Sequence, residues 1–365
     1  MRIATLSNAA VVHTTRWAAH FRARGHDVRV FSLEPAAGTP GPHDVRLPSA
    51  PLPGVLRYPL ALPRLAHELD RFAPDLIDAH YVPNYGLLGA WCGRRPLSVA
   101  AWGSDLLLTA GRDLLQHARA RYVLRSAGLV LCDAENLAAA ARRAGARPAT
   151  VRALPWGVDR TVFAPAAERT RGLLLSTRMH EDIYDLPTLL RAAAPVLAAR
   201  PYATLIVAGD GSRRASLERL AAGLLPAGRY QFVGRLASAE LAGWLARADV
   251  FLSASLSDST SQSLLEAMAA GATPVVSDIA GNREWVADGD GARLFACGDA
   301  AGCTRAIEQA LDDTAWAAAA RARNAAVIAA RADWPTNLAR IEHWFECLVA
   351  GQPLEPAPAT RTGPS

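Results

Sequence analysis

Short apolar runs alternate with helix-length stretches through two successive halves of this chain. That alternation restricts the fold more than any other feature. In the first half, strands are expected over residues 3–6, 28–32, 76–79, 97–101 and 129–131. Helices are expected over 15–24, 62–72 and 135–144, with a proline-rich loop over 35–63. The second half repeats the grammar, with strands over 173–176, 204–208, 230–233 and 250–253. Its helices fall over 186–199, 217–222 and 239–246. Strand–helix alternation of this kind argues for doubly wound parallel sheets, because a parallel partner strand needs a crossover. Two Rossmann-like α/β domains follow, over 1–160 and 161–335, joined near 155–165. The expected cleft between them faces the carboxyl ends of the strands. A last amphipathic helix is expected over 336–350, then a disordered tail over 351–365, rich in Pro, Ala and Thr.

Bulk properties narrow the function. At 365 residues, half of them hydrophobic, the chain suits two domains with full cores. No apolar run reaches the ~18 residues of a membrane span. The first residues read as a buried strand and not as a secretory leader. The five cysteines are scattered without a CxxC, which favours reduced thiols in a cytoplasmic protein. Peripheral contact at the inner face of the membrane is the alternative location. All 39 basic residues are Arg, so phosphate here must be held by Arg, His, hydroxyls or backbone amides. The net charge of +5 suits anionic small ligands or an anionic membrane surface. No Arg cluster is dense enough for nucleic acid.

The segment SLSDSTSQSLLEAMAAGATPVVS, residues 255–277, carries the most chemistry. A polar loop with Asp258, Ser261, Gln262, Ser263 and Leu264 feeds an Ala-rich helix ending at Gly271. A helix start presents free N–H groups that suit phosphate oxygens. Asp258 and Glu266 flank this stretch, and an ionised carboxylate can accept several sugar hydroxyls. Phosphate plus sugar hydroxyls describes a nucleotide sugar. The plainer alternative makes Asp258 an N-cap and Glu266 a solvated residue of an amphipathic helix.

Other strand ends offer candidates. Arg178 follows the 173–176 strand, and Tyr184 lies just beyond. Gly209 and Gly211 bracket Asp210 after the next strand, where glycine lets backbone approach a ligand or simply makes a turn. Arg213 and Arg214 face either a pyrophosphate or solvent. Arg235 ends the 230–233 run. In the first half, His13, Thr14 and Arg16 follow the first strand, with Trp17 as a core candidate. His80 ends the 76–79 strand. Trp102 and Asp105 follow the 97–101 strand, where Asp105 either binds hydroxyls or caps the next helix.

The 258–276 stretch resembles the donor-site signature of retaining GT-B glycosyltransferases of the family-4 type, the glycosyl transferases group 1. Glu266, Ala267, Met268, Ala269, Gly271, Pro274, Val275 and Val276 match, with one extra residue before the proline. Asp258 stands where the family usually has Glu. The Arg178 run resembles a variant that lacks the usual Lys and continues through Tyr184 to Ala192. His13-Thr14-Thr15-Arg16-Trp17 is similar to a variant first loop, and Trp102-Gly103-Ser104-Asp105 to a signature of part of the family. Gly157-Val158-Asp159 with Phe163 resembles the interdomain element. The likeness runs from Met1 to about Val349.

The resemblance implies a GT-B fold whose C-terminal helix crosses back to the first domain. It implies transfer from a nucleotide diphosphate sugar, UDP- or GDP-linked, to an acceptor hydroxyl, with retention at the anomeric carbon and without a metal. Asp258, Glu266, Arg178 and His80 become the catalytic candidates. Gly211, Arg235, Tyr184, Ser261, Gln262, Ser263 and Leu264 become the donor-side residues. His13, Thr14, Arg16, Trp102 and Asp105 become the acceptor-side residues. The acceptor is expected to be a glycolipid, a polysaccharide or a natural product. Two rivals remain. One is a nucleotide-sugar or glycan-binding protein of the same fold without catalysis. The other is a nucleotide-cofactor oxidoreductase, which the absence of glycine between Asn8 and His13 disfavours.

Overall fold

The computed structural model describes residues 1–36, 41, 43–49, 57–109 and 112–356. They form two compact units. Among the described residues, one comprises 1–154 and 338–356; the other comprises Pro155–Asn337. The chain therefore passes between units at Leu154, and again early in the last helix, Trp334–Val349. The expected loop over 35–63 and tail over 351–365 fall partly outside the described residues. Among the described residues no helix is long and apolar enough to cross a membrane.

The first unit contains a seven-stranded sheet. Its strands are β1 (Arg2–Leu6), β2 (Asp27–Ser32), β3 (Val45–Arg46), β4 (Leu76–His80), β5 (Leu97–Ala100), β6 (Leu129–Cys132) and β7 (Val151–Ala153). The spatial order is β3-β2-β1-β4-β5-β6-β7, and every pair is parallel. β4, β5, β6 and β7 are buried along their whole length. That is what a parallel sheet covered by helices requires, and it explains their continuous apolar runs.

The second unit repeats the plan with β8 (Leu173–Ser176), β9 (Thr204–Ala208), β10 (Tyr230–Gly234), β11 (Val250–Ser253), β12 (Thr273–Ser277), β13 (Ala287–Asp288) and β14 (Gly291–Phe295). Their order is β10-β9-β8-β11-β12-β14-β13, again parallel throughout. Two apolar clusters sandwich this sheet. One is built on helix Leu186–Ala199 and the other on helix Gln262–Ala270.

Three departures from the sequence reading are informative. Helix Leu114–Ser126 was not expected, because exposed Leu114 and Leu115 at its start blur the apolar period of its buried face. Leu114 is 89 % exposed, while Ala120, Val123 and Leu124 are buried. The Ala-rich helices Ala300–Asp312 and Thr314–Arg331 were also unassigned, since alanine carries little periodic signal. The last helix begins at Trp334, ahead of the expected 336, with Pro335 in its first turn, where a missing N–H costs nothing.

From Leu338 that last helix belongs to the first unit. Phe345 is fully buried, its ring 5.5 Å from that of Phe21 and 6.4 Å from that of Trp17. Glu342 accepts hydrogen bonds from Arg24 Nε (2.9 Å) and lies 2.8 Å from His26 Nε2. Phe345→Ala should therefore cost the first unit about 3–5 kcal/mol, read as a lower urea midpoint for its transition.

Candidate donor and acceptor sites

In each unit the strand order reverses between two central strands, β1 and β4 in the first and β8 and β11 in the second. Loops leaving the carboxyl ends of such a pair diverge and leave a crevice that binds ligands in doubly wound sheets. The candidate residues gather at these two reversals.

In the second unit the loop after β8 carries Arg178 and the loop after β11 carries Asp258. Arg178 is buried (7 % exposed). Its Nη1 donates to Ser261 Oγ at 2.8 Å and Ser263 Oγ at 2.5 Å, and its Nη2 to Asp258 Oδ2 at 2.5 Å. The Tyr184 ring lies 4.2 Å from the guanidinium carbon, so the flat cation is stacked on one face. Arg178 Nε is buried without a partner, as are Ser176 Oγ and Thr177 Oγ1 beside it. A buried cation with a spare donor, held by hydroxyls and one carboxylate, is equipped to take an anionic oxygen.

The N-cap of helix Gln262–Ala270 is Ser261, whose Oγ accepts from Leu264 N–H at 3.4 Å. Asp258 is thus not the cap. Nor is Glu266 solvated: it is buried, and its Oε1 accepts from Gln262 Nε2 at 3.3 Å. The same Gln262 amide reaches Gly157 O at 3.2 Å, tying the helix start to the Gly157-Val158-Asp159 turn. Gly271 closes the helix in the left-handed region at φ 75°.

The glycines after β9 serve the chain itself. A Cβ on Gly209 would sit 2.4 Å from Arg178 O, and one on Gly211 2.5 Å from His180 O. Their smallness lets the β9 loop press on the β8 loop; the close approach expected toward a ligand is made to backbone. Arg213 is forked onto Asp182 at 2.6 and 2.8 Å, and Arg214 Nε donates to Glu218 at 2.9 Å. Both are thus engaged in ion pairs. Arg235 is exposed at the end of β10.

The first unit shows a constellation that sequence reading only half found. His80 Nε2 lies 2.9 Å from Asp78 Oδ2, and Trp17 Nε1 donates to the same oxygen at 2.9 Å. Asp78 is fully buried, and His80 Nδ1 has no partner. Asp78 and His80 are two apart on β4, so they share a face of the strand. That i, i+2 spacing on one strand is the signal in the sequence for Asp78. Trp17 is core, yet its indole N–H has this second duty. Trp102 packs edge-on against both His80 (5.7 Å) and His13 (5.9 Å). Burial, then Arg16 and His80, lower the His13 pKa to about 4, so its ring is neutral at pH 7. Thr14 is buried, its hydroxyl 2.8 Å from Ser7 Oγ. Arg16 is half-buried near His13.

Asp105 takes the capping alternative. Its carboxylate accepts from Val82 N (3.0 Å), Trp102 N (3.1 Å) and Leu106 N (3.1 Å) and is fully buried. It staples the turn after β4 to the turn after β5, and both of its oxygens accept from backbone amides.

A family profile described as "Glycosyl transferases group 1" matches residues 170–313, and one described as "Glycosyl transferase 4-like domain" matches residues 8–157. A GDP-mannose-dependent alpha-mannosyltransferase of Mycolicibacterium smegmatis is 30 % identical over 297 residues, 73 % of this chain and 75 % of the relative. The chain belongs to the glycosyl transferases group 1 family. A phosphatidyl-myo-inositol mannosyltransferase of the same organism is 33 % identical over 53 % of this chain, and the match spans about half (51 %) of that relative's length. Among solved structures, sucrose-phosphate synthase from Thermosynechococcus elongatus superposes with a TM-score of 0.82 at 20 % identity, over 96 % of this chain and 100 % of that one. Anabaena Alr3699/HepE, solved with UDP and glucose, gives 0.80 at 20 % identity, over 95 % and 100 %. These similarities show the GT-B fold.

Two buried groups give a pH test. Burial raises the Asp105 pKa from 3.8 to about 6, against the opposing backbone N–H donors. A raised folded pKa means the native state holds the proton more tightly. Stability from this group is therefore fully present below about pH 4 and lost as pH rises through about 6. The stability difference between wild type and Asp105→Asn should fall by about 3 kcal/mol between pH 4 and pH 7 in urea titrations. His13 has the opposite sign. Its depressed pKa removes stability as pH falls from 6.5 toward 4, and ¹⁵N-histidine NMR should show its ring neutral at pH 5.5.

Proposed function

We propose that this protein is a retaining glycosyltransferase, moving a sugar from a UDP- or GDP-linked donor to an acceptor hydroxyl. The observation that carries the reading is Arg178. It is a buried cation at the strand-order reversal, held by Ser261, Ser263 and Asp258 at the start of an N-capped helix. The reaction breaks the bond between the anomeric carbon and the diphosphate oxygen and forms one to the acceptor oxygen. The bonding pair leaves with the diphosphate, which also takes the acceptor's proton. Negative charge therefore grows on the leaving group. Arg178 and the N–H groups at the start of helix Gln262–Ala270 are the fixed donors for it. No protein nucleophile is assigned.

In this reading Glu266 binds the ribose hydroxyls and Asp258 the hydroxyls of the donor sugar. Tyr184, in a run that lacks the family's Lys, orients Arg178 by stacking. Gly211 and Arg235 border the nucleotide. On the acceptor side His80, backed by Asp78, is the polar group for the acceptor hydroxyl, with His13, Arg16 and Trp102 around it. The GDP-mannose dependence of the M. smegmatis relative supports a nucleotide diphosphate sugar as donor. The acceptor is a glycolipid, polysaccharide or natural product. The five free cysteines suit a reducing, cytoplasmic setting.

A thermal-shift series with UDP, GDP, ADP and TDP tests the donor, with stabilisation by UDP or GDP expected. Asp258→Ala and Glu266→Ala should each lower nucleotide-sugar turnover by about 10²–10³-fold with the fold retained, the range seen when one fixed polar contact to the reacting group is lost. Full turnover in both variants would sink the assignment.

A further inference from the structure

The Asp258 loop rests on a glycine that no site assignment includes. Gly281 lies in the short helix Ala280–Arg283, which follows β12. A Cβ built there would stand 2.0 Å from Ser259 O, 2.6 Å from Asp258 O and 3.0 Å from Asp258 C. These are backbone atoms, so no side-chain rotation relieves the clash. Gly281 has ordinary helical backbone and no positive φ, so the requirement for glycine is purely one of space. The turn beneath it is pinned. Neighbouring Asn282 is buried and donates from Nδ2 to Ser277 O at 2.8 Å, and Ser277 Oγ donates to Ser255 O at 2.6 Å. Asn282 N–H donates to Ile279 O at 3.1 Å. A side chain at position 281 therefore meets a braced turn on one side and the Asp258 loop on the other. The turn holds its own side by the Asn282 and Ser277 bonds, so an added side chain displaces the Asp258–Ser259 main chain it meets.

We propose that Gly281 is a positioning residue for the donor sugar. It lets the backbone of Asp258 and Ser259 settle against the 280–283 turn, and that seat brings the Asp258 carboxylate to Arg178. The side chain is short, with one methylene between backbone and carboxylate, so it cannot make up a displaced main chain by extending. The proposal rests on the reading of Asp258 as a sugar-binding group. It predicts a split in binding. Nucleotide alone is held by Arg178, Ser261, Ser263 and Glu266; none of these meets a Cβ at position 281, and Arg178 keeps its bonds to Ser261 and Ser263 when Asp258 is displaced. Nucleotide sugar also needs Asp258.

The experiment measures Kd for the nucleoside diphosphate found to stabilise the protein, and for its glucose and mannose conjugates, in wild type, Gly281→Ala, Asp258→Ala and the double variant. Expected are an unchanged diphosphate Kd (within about twofold) in Gly281→Ala and at least tenfold weaker binding of the nucleotide sugar. In the Asp258→Ala background, Gly281→Ala should add less than twofold, since two changes acting through one contact do not sum. Equal weakening of both ligands in Gly281→Ala, or its full effect repeated in the Asp258→Ala background, overturns the proposal. If Asp258→Ala itself leaves nucleotide-sugar binding intact, the donor-site reading fails instead, which separates the two. Should Gly281→Ala not fold, Asn282→Ala loosens the same turn from Ser277. Its predicted split is the same and smaller, and equal weakening of both ligands there overturns the proposal too.

Discussion

Everything at the candidate donor site hangs on the parallel pairing of β8 with β11, Val250 beside Leu174 and Phe251 beside Leu175. These strands are neighbours in space but are separated in sequence by two strands that wind off the other way. Their following loops therefore leave the sheet at the same end and in diverging directions. Arg178 comes from one loop and Asp258 from the other. The ion pair between them links the two sides of the reversal, some eighty residues apart in sequence. A sheet with a different winding would scatter the same residues.

Burying a guanidinium carries a large desolvation cost, and a carboxylate alone seldom offsets it. Here two serine hydroxyls and a stacked tyrosine share the task. The arrangement leaves Nε over, together with the hydroxyls of Ser176 and Thr177. Such unsatisfied polar atoms are expensive in a finished core. They are reasonable in a site whose polar partner arrives as a ligand. The first unit has the same character in miniature, where Asp78 spends one oxygen on both Trp17 and His80 and leaves His80 Nδ1 without a partner.

Glycine permits close backbone approach at three places in the second unit. At Gly209 and Gly211 it allows one strand-end loop to press on another, and at Gly281 it seats the loop bearing Asp258. Read from sequence, Gly209-Asp210-Gly211 suits either close approach to a ligand or an ordinary turn. In the structure the nearest atoms to the missing side chains are backbone oxygens of Arg178 and His180. Gly281 drew no notice in the sequence, because it stands in no strand-to-helix turn of the expected kind.

The sequence by itself determined the class of fold and most of its elements. Apolar runs such as those at β8, β9 and β11, and the helix Leu186–Ala199, have a periodicity that survives any tertiary context. It also marked Asp258, Glu266, Arg178 and His80, since each stands at a strand end or beside a helix start. It missed helix Leu114–Ser126, whose first two leucines are exposed, and the alanine helices, whose side chains carry almost no pattern. Tertiary structure alone decided which polar groups meet. Ser261 caps and Asp258 does not; Asp105 spends its carboxylate on three backbone amides; Asp78 stands behind His80. The reason is physical. Periodicity reports which face of an element leaves water, a local property of the chain. Hydrogen-bond partners at a strand-order reversal are brought together by winding, and winding joins residues that sequence keeps far apart.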